Sequence, residues 1–181
     1  RKDSIHERDL IALDLDEATS DLLLNLDLGS HDLAGFEFVA YSTRKHTPEN
    51  PRIRIVVPLT RGISPEEHHA LSRIVSYMVD DTMDSVDPVS FRMSQVMYFP
   101  SVCRDGEFYW HHNEGHWLNP SQVLDAFGDW QDHTKLPYSE ARGEAKALVT
   151  KKVEDPTEKR GLVGAFCRVY DVPSAIEKFL P

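Results

Sequence analysis

Cysteine is scarce. Cys103 and Cys167, the two in 181 residues, stand 64 positions apart with no C-x-x-C spacing. That argues against a disulfide scaffold or a thiolate zinc site and fits a reducing compartment, the cytoplasm by default. No apolar stretch approaches the roughly 18 residues needed to span a bilayer, and no basic-then-apolar leader opens the chain, so no membrane role is expected. There is no internal repeat, which removes solenoids and arrays. Bases are also in deficit: 20 Lys and Arg against 30 Asp and Glu leave a net charge of −10. On that average duplex nucleic acid is disfavoured, because such binding is driven by cationic side chains displacing counterions from phosphate. What remains is an ordinary globular composition, 40% apolar. A chain of this length buries about two thirds of its unfolded surface, so it needs no staple to fold. Arg1 rather than methionine opens it, and the expectation is a piece of a longer polypeptide.

The average charge conceals a pattern. Residues 1–40 carry ten acids against three bases, whereas residues 41–62 carry Arg44, Lys45, Arg52, Arg54 and Arg61 against Glu49 alone. An acidic element followed by a basic one can hold metal ions beside phosphates, since cations need carboxylates and phosphates need guanidinium or ammonium. Two solvated faces of opposite sign would give the same pattern.

Leu10-Ile11-Ala12-Leu13 is a short apolar run bounded by charge and reads as a buried strand ending at Asp14 or Asp16. Residues 18–28 suit a helix closed by Gly29. Residues 36–41 alternate into a second strand, the prolines of 47–51 make a turn, and a third strand runs from Arg52 to Leu59. Ser64-Pro65-Glu66-Glu67 opens a helix that reaches Tyr77 or Asp80 and buries Leu71, Ile74, Val75 and Met78. A short helix from Ser90, strands at 96–99 and 107–112, and a helix from 119 or 120 to Phe127 follow. Residues 128–160 read as an exposed linker, and 161–180 as an amphipathic tail ending in a helix from about Pro173.

Three groups of residues can carry chemistry. Asp14 and Asp16 stand two apart on a strand and so face one side. Like charges that close invite a hard cation, Mg²⁺ or Mn²⁺, although D-x-D also occurs by chance and in sugar transferases and phosphatases. Asp80, Asp81, Asp84 and Asp87 form a second acidic cluster. The first three suit solvated helix-end positions, and Asp87, between Val86 and Pro88, is placed to join the first pair. The basic hairpin offers Ser42, Arg44, Lys45, His46, Arg52 and Arg54, four kinds of phosphate donor. Cys103 with His111, His112 and His116 forms no zinc pattern, His68 and His69 are expected at the surface beside Glu66 and Glu67, and Trp110, Trp117 and Trp130 are expected in or near the core.

The order of these groups, 10–16, then 41–59, then 86–100, resembles the archaeo-eukaryotic primase superfamily, most closely the primase-polymerase domains of phage and plasmid replication proteins. The family's three motifs correspond to Asp14 with Asp16, to Ser42 with His46, and to Asp87. Its usual Ser-Thr-His reads Ser42-Thr43-Arg44 here, so the motif histidine aligns either to Arg44 or to His46.

The resemblance implies an α/β domain over residues 1–138, a mainly antiparallel RNA-recognition-motif-like sheet flanked by helices, with residues 139–181 a linker and small helical segment. It implies a DNA-dependent nucleotidyltransferase, primase or polymerase, in which Asp14, Asp16 and Asp87 hold two Mg²⁺ or Mn²⁺ ions and His46 assists catalysis. Ser42, Arg44, Lys45, Arg52 and Arg54 would hold the NTP or dNTP. The implied partners are single-stranded DNA template and a helicase domain of the same longer polypeptide. Two alternatives stand beside it. A haloacid dehalogenase-like phosphatase shares the D-x-D strand but wants Thr or Val where Ala18 stands. A non-catalytic module would only bind single-stranded DNA or dock a helicase.

Overall fold

Period-two alternation places Ile11, Leu13 and Leu15 on one side of β1 (Arg8–Leu15), and all three are fully buried. Asp14 leaves from the other side. In the computed structural model, which describes residues 5–142, 161–170 and 172–179, β1 is an edge of a four-stranded antiparallel sheet. The strand order is β1-β3-β2-β4, with β2 over Phe38–Ser42, β3 over Ile53–Ile63 and β4 over Trp110–Asn113. The register pairs Asp14 with Arg54, Leu15 with Ile53, Tyr41 with Arg54 and Tyr41 with Trp110. Acids and bases distant in sequence thereby share one face, while Ile53, Ile55, Val57, Phe38 and Ala40 join the core on the other. The α/β class and the antiparallel sheet agree with expectation.

Helices complete that core. α1 (Ser20–Leu28) starts at Thr19, whose hydroxyl accepts from the Leu22 N–H, and stops at Gly29 with φ +65°, a left-handed cap that glycine takes without strain. α2 (Pro65–Val79) opens on a reciprocal capping box between Ser64 and Glu67 and packs against β1, a 3-10 helix over Pro88–Phe91 and α3 (Pro120–Phe127). The chain divides into two compact units, residues 1–145 and 146–181. In the second, α4 (Leu162–Val169) and α5 (Val172–Phe179) are held by Phe166, Tyr170 and Phe179, with ring centroids 5.1 to 6.1 Å apart. Residues 143–160 of the expected linker lie outside the described residues.

Several expectations need correction. The strand over 96–99 does not form. Arg8 Nη2 donates to the Gln95 carbonyl and Arg54 Nη1 to the Tyr98 carbonyl, each at 3.0 Å, so guanidinium groups take acceptors that a neighbouring strand would have used. β3 continues to Ile63 because its end pairs on both sides: Ile63 with Arg8, and the Thr60 N–H with the Leu118 carbonyl at 3.0 Å. The strand expected at 107–112 begins only at Trp110. Residues 128–142 are mostly exposed, as expected, but are tied to the domain: Leu136 is in the core and Arg73 donates to the Pro137 carbonyl at 2.9 Å. His68 is fully buried, one face of α2 with Leu71, Ser72 and Val75. Trp110 and Trp117 are exposed.

Candidate functional site

The end of β1 is clasped by a segment far along the chain. Val86 bridges Leu15 in antiparallel fashion, the Asp87 N–H donates to the Asp14 carbonyl at 2.7 Å, and the Asp16 N–H donates to the Ser85 carbonyl at 3.1 Å. The Asp14 N–H in turn donates to Ser90 Oγ at 2.9 Å. Residues flanking an antiparallel bridge face each other, so Asp87 comes opposite Asp14. Its carboxylate accepts the Val89 N–H at 2.9 Å, capping the 3-10 helix.

Asp14 in β1 and Asp16 in the turn just past it meet two arginines, Arg54 in β3 and Arg52 just before it. Arg54 grips Asp14 with two nitrogens, Nε to Oδ1 at 2.5 Å and Nη2 to Oδ2 at 3.0 Å, in a pair whose side chains are 7% and 15% exposed. Burial alone would lower the Arg54 pKa, but the hydrogen bond and charge of Asp14, with Tyr41 adding to both, raise it above the ordinary value. Arg52 Nη1 lies 3.2 Å from Asp16 Oδ1 in a more open pair. The donors suit a hard divalent cation in kind: they are carboxylates, and each oxygen keeps lone pairs beyond the hydrogen bonds named. Their arrangement is nevertheless one of ion pairs, and among the described residues no three His, Cys, Asp or Glu side chains are gathered to hold a metal ion.

The hairpin between β2 and β3 folds back on itself. The Thr43 N–H donates to the Arg52 carbonyl at 2.9 Å, and the Arg52 N–H donates to His46 Nδ1 at 3.1 Å. A ring nitrogen that accepts is unprotonated; burial lowers the His46 pKa, offset in part by Glu107 and the Arg52 backbone. His46 is thus a buried, neutral brace of the turn. Ser42 is fully buried too, its Oγ accepting from the Tyr109 N–H at 3.1 Å, which extends the pairing of β2 beyond β4.

Arg44, Lys45, Arg52 and Arg54 instead line a cleft of about 470 Å³ together with Asp16, Tyr41, Thr43 and two exposed aromatic side chains, Tyr98 and Phe99. Sequence reasoning missed those aromatics because Val96-Met97-Tyr98-Phe99 reads as a strand. The missing polar alternation and the following Pro100 were signals against one. A larger depression, about 890 Å³, lies elsewhere over Ile74, Tyr77, Phe127 and Leu136. It is mainly apolar, and its Lys135 is paired with Asp129.

Asp80 and Asp84 of the second cluster serve local structure. Asp80 accepts from Thr82 and Ser85 and shapes the turn after α2; Asp84 accepts from the Ser139 hydroxyl. Among the histidines, His111 Nδ1 meets Asp27 at 3.1 Å and His112 Nε2 meets Glu37 at 3.5 Å, so the adjacent rings serve opposite faces of β4.

No helix among the described residues is long and apolar enough to cross a membrane. No curated protein and no solved structure matches the chain. Residues 1–139, which hold the clasped end of β1, the basic hairpin and the cleft, match the family model of the VapE N-terminal domain, a family associated with phage and plasmid replication, and the chain belongs to that family.

Proposed function

We propose that this domain is the nucleotidyl-transferring module of a phage or plasmid replication protein, of the archaeo-eukaryotic primase type. The observation that supports the reading is the clasp: backbone bonds from Ser85 and Asp87 to the end of β1 set Asp87 opposite Asp14 in the register, and Asp16 lines the basic cleft. Family membership and the antiparallel sheet accord with it.

In this reading Arg44, Lys45 and Arg52 hold the phosphates of an NTP or dNTP by charge-assisted hydrogen bonds. Arg54, with its nitrogens on Asp14 and the Tyr98 carbonyl, positions the site. A triphosphate that draws Arg52 away from Asp16 leaves that carboxylate to a cation. Asp14, Asp16 and Asp87 would hold Mg²⁺ or Mn²⁺, which when bound polarises the phosphate and stabilises the attacking and leaving oxygens. A 3′ hydroxyl attacks the α-phosphorus in line and loses its proton to solvent water. A new P–O bond forms, the α–β phosphoanhydride breaks, and pyrophosphate leaves. No side-chain nucleophile is required, and Asp14, with both oxygens bonded to Arg54, is poorly placed to be one. This weighs against the phosphatase alternative.

The test is nucleotide incorporation on single-stranded DNA with Mg²⁺ or Mn²⁺ and separate NTP and dNTP pools. Asp16→Asn is the variant of choice because Asp16 is the more exposed acid, at 44%. Incorporation by the wild type and a loss of at least about 100-fold in the variant are expected, the scale on which removing an electrostatic stabiliser acts. No incorporation under any combination, with single-stranded DNA binding that survives EDTA, would leave the non-catalytic module as the function.

A further inference from the structure

Two aromatic rings stand in solvent at the edge of the basic cleft. Phe99 is 93% exposed and Tyr98 76%. Leaving a phenyl ring in water forfeits the burial that stabilises most such side chains, so folding gains nothing from Phe99 where it stands. The segment that carries them is nevertheless tied down. Arg54 Nη1 donates to the Tyr98 carbonyl and Arg8 Nη2 to the Gln95 carbonyl, both at 3.0 Å, and the Cys103 thiol donates to the Arg44 carbonyl at 3.2 Å. The rings are therefore presented beside the hairpin by bonds to β1, to β3 and to the hairpin itself. Both line the same cleft as Arg44, Lys45 and Arg52.

A ligand complementary to such a cleft is anionic where the cations are and flat and aromatic where the rings are. Guanidinium and ammonium groups bind phosphate oxygens, and an exposed aromatic face stacks on any base, because every base has a π-face. We infer that Phe99, with Tyr98 beside it, forms the base-stacking subsite for a nucleotide whose phosphates lie against Arg44, Lys45 and Arg52. The inference rests on the nucleotide reading above and extends it to two residues outside the acidic and basic motifs. The subsite is tolerant of base identity, since stacking reads a ring face and no base-edge pattern.

Calorimetric titration of the intact chain with ATP and with inorganic tripolyphosphate, both with Mg²⁺, separates the base from the phosphates. ATP is expected to bind about tenfold more tightly than tripolyphosphate, a low-end stacking contribution. Phe99→Ala should bring ATP to the tripolyphosphate level and leave tripolyphosphate itself unchanged, and Phe99→Trp should restore the preference. Phe99 is so exposed that neither change disturbs the core, and circular dichroism checks that the variants fold. A preference for ATP that persists in Phe99→Ala and in the double variant with Tyr98→Ala overturns the subsite, as does equal binding of the two ligands by the wild type; either result leaves the phosphate contacts in place. Failure of the wild type to bind either ligand overturns the nucleotide reading together with this one.

Discussion

Arg54 commits all three guanidinium nitrogens, Nε and Nη2 to Asp14 and Nη1 to the Tyr98 carbonyl. Removing one partner of a buried ion pair strands the other and costs about 3–5 kcal/mol. Side chains 7% and 15% exposed fall just short of that limit, so Arg54→Met is expected to destabilise the fold by about 2–3 kcal/mol in urea unfolding. Replacing Asp14 by Leu in the same chain should recover more than half of that loss, because no charge is then left unpaired. Arg52→Met, in the more open pair, should cost under about 1 kcal/mol. His68 sets a pH dependence of its own. Burial, with the nearby charges of Arg8 and His69, pushes its pKa from 6.5 down to about 4. Below pH 6.5 the unfolded chain binds a proton that the folded chain refuses, so the neutral ring's contribution is whole above pH 6.5 and declines towards pH 4. The total approaches ~3 kcal/mol. His68→Leu should flatten the fall in urea midpoint between pH 7 and pH 5; an unchanged slope would place the titrating group elsewhere. At this scale the sequence was legible only in part. Asp14 leaves the core side because strand geometry demands it, but the strand ends at Leu15 and Asp16 stands in the turn beyond, held by the Ser85 carbonyl. The inward turn of Ser42, His46 and His68 likewise depends on Tyr109, Arg52 and the packed face of α2, partners that no local pattern names.

Secondary-structure elements were read more readily than individual side chains. α2 carries its boundary in Ser64, Pro65 and Glu67, and α1 in Thr19 and Gly29, because caps are local hydrogen-bond problems with local solutions. The segment 96–99 departs from the expected strand where long-range bonds fix it: Arg54, 44 positions away, takes the Tyr98 carbonyl, and Arg8, 87 positions away, takes that of Gln95 just before it. The placement of β4 rests on a similar long-range fit. At Gly115 a Cβ would lie 2.5 Å from the Phe36 carbonyl carbon and 2.8 Å from the Glu37 nitrogen and the Gly35 oxygen. All three are backbone atoms and cannot swing aside. Just beyond, the Glu37 N–H donates to the His116 carbonyl at 2.9 Å and holds the crossing closed. Gly115→Ala should therefore push the crossing apart at a cost of about 1–3 kcal/mol. Hydrogen exchange should show β4 and the facing amides of β2 losing protection while those between β1 and β3 keep theirs. Uniform protection across the sheet would mean that the backbone absorbs the extra methyl group.

For the whole molecule, the net charge of −10 and the basic cleft oppose each other. Long-range attraction to a polyanion is weak, so on the proposed reading single-stranded DNA offered without a nucleoside triphosphate binds through local contacts at the cations Arg44, Lys45 and Arg52, where the Debye length of roughly 8–10 Å still lets nearby acids be felt. The antiparallel sheet puts these cations together by pairing two strands of one hairpin, which is why the basic patch was visible in the sequence as a run. The bonds by which Ser85 and Asp87 clasp the end of β1 depend on the chain returning past β1 after α2, a contact that no local pattern fixes. Counterion release scales with the phosphates neutralised, with a slope of about −0.7 per contact for single strands. Three contacts predict that log affinity for single-stranded DNA falls against log salt with a slope near −2. Lys45→Ala should reduce that slope by about 0.7 and weaken every sequence alike, because a phosphate contact carries no base information. Fluorescence anisotropy with a labelled oligonucleotide, titrated over a series of salt concentrations, measures both quantities. A slope near −2 that Lys45→Ala and Arg44→Ala leave untouched would move the nucleic-acid contact away from the hairpin, to a surface that the acidic balance of the chain makes harder to find.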